Sequence, residues 1–188
     1  MPVRCDHTGM TNVYIALIRG INVGGSHLLP MKDVKLLFEQ HGCVEVKTYI
    51  QSGNVVFRST DANAGRLARR VAAAVAKARG FEPRLLVLTR RELERAAAGN
   101  PFPQADDNPA SVHLFFLAEA ATSADVTSMN ALKTATEQFA LKGRVLYLHT
   151  PDGLGSSRLA ARVERLLGVD ATARNWRTVT TLLELSRK

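Results

Sequence analysis

Arg19, Asn22 and Ser26 stand beside Gly20, Gly24 and Gly25 in the segment Val13–Ser26, where an apolar run passes straight into a glycine-rich polar loop. Glycine lets the backbone turn sharply or come close to a bound group, and the neighbouring side chains add donors, one of them charged. Such a loop can hold an anion on its backbone N–H groups. Gln51-Ser52-Gly53-Asn54 is a second polar, glycine-bearing stretch. It reads first as a hairpin tip, and it adds to a binding site only if it lies beside the first loop. Arg174-Asn175-Trp176 is the third, with the only tryptophan of the chain between polar residues. Asn175 is expected to cap the last helix, Trp176 to pack against the sheet, and Arg174 to be the first residue to test for ligand contact. The candidate ligand-binding set is therefore Arg19, Gly20, Asn22, Gly24, Gly25, Ser52, Gly53, Asn54, Arg174, Asn175 and Trp176. The expected ligand is a small anion bearing phosphate or carboxylate.

Several familiar chemistries do not fit these residues. A Walker A loop needs lysine and then serine or threonine after its last glycine, and here Ser26-His27 follows. The glycine spacing also departs from a dinucleotide fingerprint, whose next strand lies parallel across a helix. Asp152–Arg158 is a strand-to-helix passage whose amides could draw an anion, but capping by Ser156 is the simpler account. His27 and His149 flank the two loops as candidate general bases, although a structural role outweighs that one. The five histidines show no zinc-site pairing, the serines no nucleophile elbow, and no metal or cofactor is expected. The sequence names no reaction.

The 188 residues, 46% hydrophobic and 22% charged, have the balance of a soluble globular protein. The longest apolar runs are strand-sized, so no membrane span is expected. Two cysteines, Cys5 and Cys43, are too few for a disulfide framework, and Cys43 reads as a small buried hydrophobe in a reducing cytoplasm. Residues 62–95 carry most of the net charge of +8, with nine Arg or Lys against Glu82, Glu92 and Glu94. A polyanion would be attracted at low salt, so a nucleic-acid-binding module is the second expectation and a protein-interaction scaffold the third. Strand 54–59 lacks the aromatic pattern by which RNA-binding sheets stack bases.

Residues 1–12 read as an irregular tail, with Met10 as an alternative start. From 13 to 89 the pattern is strand, helix (31–41), strand (44–49), strand (54–59), helix (62–79) and strand (83–89). That is the split β-α-β order of a ferredoxin-like unit. Thr89 and Glu92 make a capping box for a short helix to Ala98, closing a first subdomain over 13–98. Residues 99–110 are proline-rich and read as a linker. A second ferredoxin-like subdomain fills 111–188: strand 111–117, helix 123–135 capped by Ser123, hairpin 137–149, helix 156–167, strand 171–175 and a terminal helix 176–186. The expected class is α+β, two tandem units plus a C-terminal helix.

Four separated motifs, Tyr14–Gly25, Tyr49–Phe57, Asn100–Pro103 and Thr172–Trp176 with Thr178–Leu185, closely resemble the domain of unknown function 1697 family. The resemblance spans the chain after Asn12. It implies a bacterial cytoplasmic protein with two ferredoxin-like subdomains, and brings no activity, substrate or cofactor. Ser26-His27 stands where the family tends to have lysine and asparagine, removing a positive charge. Arg177 stands where it often has asparagine, returning one near Arg174.

Overall fold

The structure, a computed structural model, describes residues 11–22 and 27–188. The chain divides into two compact units, Met1–Arg90 and Arg91–Lys188. Across the described residues there are two four-stranded antiparallel sheets and seven α-helices, the mixed α+β class expected.

In the first unit, strand β1 (Asn12–Arg19) leads to helix α1 (Met31–Gln40) and the hairpin β2 (Val44–Tyr49) with β3 (Asn54–Ser59). Helix α2 (Ala64–Arg79) and strand β4 (Arg84–Thr89) complete it, with strands ordered β2-β3-β1-β4. β1 is central, pairing antiparallel with β3 (Ile15 opposite Val56) and with β4 (Ala16 opposite Val87). Successive residues Tyr14 to Ile18 are all buried, so both faces of β1 are out of water, which is why its sequence is almost continuously apolar. Its alternate residues Tyr14, Ala16 and Ile18 join Phe38 of α1, Phe57 of β3 and Leu67 and Val71 of α2 in one core. α2 shows why periodicity was informative: Leu67, Val71 and Val75 are buried at four-residue spacing. The Asn63 side chain accepts from the Arg66 N–H at its start, and Gly80 ends it with φ of 76°.

The second unit contains α3 (Arg90–Ala98, apart from its first residue), α4 (Gln104–Asp107), β5 (Val112–Leu117) and α5 (Val126–Leu132). It continues with β6 (Gln138–Lys142), β7 (Val145–His149), α6 (Val163–Leu167), β8 (Ala171–Asn175) and α7 (Trp176–Arg187). Its strand order, β6-β7-β5-β8, repeats that of the first unit. α3, read from sequence as the close of the first subdomain, falls past the division. The buried Tyr147 hydroxyl of β7 donates to its Ala96 carbonyl at 2.7 Å, tying it to the second sheet.

Three local expectations are corrected. The stretch read as a linker holds one helical turn, α4, and buries Phe102 and Ala105. Asn100 Oδ1 accepts the Phe102 N–H at 3.1 Å, a local turn that prolines permit. α5 begins later than Ser123 because Asp125 is its cap, accepting the Ser128 N–H at 2.9 Å while its own N–H is held by the Leu166 carbonyl. The helix expected over 156–167 is two 3₁₀ turns, Leu154–Ser156 and Ala160–Arg162, before α6. Ser156 Oγ donates back to the Asp152 and Gly153 carbonyls, and Ser157, in place of Ser156, accepts the Ala160 N–H. Such local bonds compete with the α-helical ladder.

Candidate functional site

The two glycine-bearing loops of the first unit meet at one end of its sheet. The Ile18 N–H donates to the Gly53 carbonyl at 2.8 Å, so the 51–54 tip lies directly on the end of β1. Gly53 has φ of 74°, and a Cβ there would stand 2.7 Å from Ile18 Cβ and 3.0 Å from Ile21 Cδ1. The tip is thus pressed onto the start of the glycine-rich loop, a closer fit than an ordinary hairpin needs.

Asn22 joins the two. Its Nδ2 donates to the Leu29 carbonyl at 2.9 Å and to the Gln51 carbonyl at 3.0 Å, and its Oδ1 accepts the Leu29 N–H at 2.8 Å. Its backbone N–H reaches the His27 carbonyl at 3.2 Å, closing the neck of the loop. Asn22 and His27 both adopt positive φ, 57° and 51°. The His27 ring stacks on Phe81 with centroids 4.4 Å apart, and its Nδ1 lies 3.1 Å from the Gly20 carbonyl oxygen. Asn54 is fully buried and donates to Ser52 Oγ at 2.8 Å and to the Tyr49 carbonyl. The asparagines therefore build the loops, leaving Gln51, Ser52, His27 and Gly20 exposed on them. Gly24, Gly25 and Ser26 lie outside the described residues.

Arg19 ends β1 half-buried. Tyr14, Ala16 and Ile18 face the helices, so alternation sends Arg19 to the opposite face, where Arg84 of β4 stands at its register position. Arg84 was missed from sequence. Only the pairing of β1 with β4 reveals it.

Arg174, Asn175 and Trp176 belong to the second unit. Asn175 Oδ1 accepts the Thr178 N–H at 2.9 Å and caps α7, as expected. Arg174 stands opposite Leu114 on β8 and donates to the Ala173 carbonyl at 2.7 Å. Burial pulls its guanidinium down to about 10. Trp176 is half-buried at the first turn of α7.

His149 is buried beside Phe102, with ring centroids 6.0 Å apart and no partner for its Nδ1 among the described residues. A buried ring is poorly placed as a general base. His113 is also buried, its Nδ1 without a partner among the described residues, and burial, partly offset by a hydrogen bond with the Ser111 backbone, depresses it to about 4. Cys43 is buried as expected, its thiol pushed up to about 11 by desolvation. Among the described residues no group of three or more His, Cys, Asp or Glu side chains is placed to hold a metal ion. Nor is any described helix long and apolar enough to cross a membrane.

The basic helix α2 is less available to a polyanion than its composition suggests. Arg66 and Arg70 pair with Asp61 at 2.7 and 3.4 Å, and Arg79 pairs with Asp33. The Arg66 hydrogen bond holds the Asp61 carboxyl below its ordinary range.

Fold and site together define a mixed α+β protein with two four-stranded antiparallel sheets and a tied pair of polar loops at the end of the first. Residues 10–147 match the family described as "Protein of unknown function (DUF1697)", and the chain belongs to that family. The match ends at Tyr147, so the resemblance seen at Thr172–Trp176 lies beyond it. No curated protein matches the chain. Among solved structures, the conserved bacterial protein SP0830 from Streptococcus pneumoniae has a similar fold, with a TM-score of 0.68 at 21% identity over 94% of this chain and 99% of that one.

Proposed function

We propose that the protein binds a small anionic ligand, bearing phosphate or carboxylate, at the end of the first sheet where the loop after β1 meets the 51–54 tip. The observation that carries this reading is the Asn22 side chain, which ties the neck of the glycine-rich loop to Gln51. Asn22 and Gln51, distant in sequence, are tied directly to each other, and pre-organisation of this kind reduces the cost of binding. Arg19 supplies the charge, with Arg84 on the same face, while Ser52 and the Gly20 backbone offer neutral donors. Asn22, Gly53 and Asn54 position these groups. The reading is confined to the first unit; Arg174 belongs to the second.

The β-α-β-β-α-β order of the first unit, with strands in the order 2-3-1-4, supports reading it as ferredoxin-like, and the repeated strand order supports the same reading for the second. A bacterial cytoplasmic setting accords with only two cysteines, Cys43 buried and protonated.

Thermal-shift titration with inorganic phosphate, phosphorylated sugars and di- and tricarboxylates tests the reading. A ligand at about 100 times its dissociation constant adds about 2.7 kcal/mol, several degrees in Tm. The shift should vanish in Arg19→Ala. If no anion stabilises the wild type, the reading fails.

A further inference from the structure

We propose that the groove between α1 and α2, on the outer side of the helical layer of the first unit, docks an acidic amphipathic helix of a partner protein. The groove has a volume of about 680 Å³, and Leu37, Ala73, Ala74 and Ala78 give it an apolar lining. Arg70, Ala73, Ala74, Lys77 and Ala78 fall at i, i+3, i+4, i+7 and i+8, a single stripe of α2. An outward stripe is normally polar throughout. This one has methyl groups at its centre and cations toward its ends. Leu36, one turn before the lining residue Gln40 on α1, is 53% exposed and extends the apolar rim.

The groove is held open by its own bonds. Arg79 of α2 pairs with Asp33 near the start of α1, and Arg70 Nη2 donates to the His41 carbonyl at its end at 2.9 Å. These bridges fix the two helices on either side, so an occupant need not order them. The lining also selects the shape of the occupant. Alanine methyls let a helix backbone come close, since interaxial distance follows side-chain size at the contact. A lone acyl chain in an open groove would keep its outer side in water, whereas an amphipathic helix covers the apolar lining and turns its polar face outward.

Charge selects its chemistry. Lys77 stands exposed within the alanine stripe, in the stretch of residues 62–95 that carries the excess of basic residues, while Arg70 keeps its bonds to Asp61 and the His41 carbonyl. A carboxylate at the edge of a partner helix's apolar face meets Lys77 while that face covers the alanines. A nucleic acid fits less well, because its phosphates gain nothing from the alanine lining, and Arg66, Arg70 and Arg79 already serve Asp61 and Asp33.

The test uses the full chain and a labelled synthetic peptide of about 14 residues, four helical turns, with leucines along one face and glutamates flanking them. A charge-inverted lysine peptide and a single-stranded DNA oligonucleotide serve as comparisons. In fluorescence anisotropy the glutamate peptide should bind and the lysine peptide should not. Ala73→Glu and Lys77→Glu should each weaken binding by about tenfold or more, while the same charge change at Lys188→Glu has little effect. Lys77 is exposed, so its variant keeps the test valid should Ala73→Glu fail to fold. Arg19→Ala should bind the peptide normally, which separates this surface from the anion site. Absence of peptide binding, equal binding by all variants, or displacement of the peptide by the oligonucleotide would overturn the proposal.

Discussion

Gly53 is a glycine for two separate reasons, and each has a measurable consequence. Its positive φ penalises any L side chain by about 1–2 kcal/mol, and a Cβ would strike Ile18 at 2.7 Å, backbone included, on a central strand that cannot retreat. Overpacking of that kind adds about 1–3 kcal/mol. Gly53→Ala should therefore lose about 2–5 kcal/mol in urea denaturation followed by a probe in the first unit. By contrast Gly20→Ala, whose Cβ would meet nothing within 4 Å among the described residues, should lose only the conformational part. A Gly53→Ala protein of wild-type stability would refute the close fit and the loop cluster with it. The sequence marked both glycines as turn formers because residue type reports φ. It could not report that Gly53 lies on Ile18, or that Asn22 bonds Gln51 twenty-nine residues away, because those partners are set by strand pairing.

Among the elements, those with a full apolar stripe and an unambiguous cap were legible, and those without were not. α2 was readable from Leu67, Val71 and Val75, and α7 from the Asn175 cap. Strands β2, β3 and β8 came out at their observed bounds because turn residues or a helix cap delimit them. α5 and α6 were overextended. Their sequences allow a longer helix, but the Asp125 N–H is taken by Leu166 and Ser156 and Ser157 bond locally, and neither bond is visible in a periodicity. Cap substitutions distinguish the two kinds of helix start. Asn63→Ala should cost about 1 kcal/mol of stability, because its side chain holds the Arg66 N–H at 2.8 Å. In the second unit Asp125→Ala should lower Tm, whereas Ser123→Ala should leave it unchanged. The opposite ranking would restore the longer helix.

At the scale of the whole molecule, the repeated order of elements was legible in the sequence, while the position of the division was not, because α3 is claimed for the second unit by the Tyr147 hydroxyl. Burial of single polar groups was equally hidden, and one of them shapes the pH response of the fold. His113 lies on β5 opposite Leu148, in alternation with Phe115 and Leu117, so it shares their face toward the apolar core of the second unit. Burial lowers it from 6.5 to about 4. A histidine neutral in the folded chain binds a proton more readily when unfolded, so between these values the unfolded state carries more protons and stability falls as pH falls. The loss begins near pH 6.5, is complete below about pH 4, and amounts to about 3 kcal/mol. Asp61 and Asp125, whose carboxyls are held below their ordinary range by hydrogen bonds from Arg66 and Ser128 respectively, act in the same direction at lower pH, as each is protonated through its depressed folded value. The contributions separate by window: His113→Leu should flatten the urea midpoint between pH 6.5 and 4.5 and leave any loss below pH 4 intact. A wild-type midpoint already flat from pH 7 to 4.5 would mean that His113 takes up its proton without strain, and that water reaches the core side of β5.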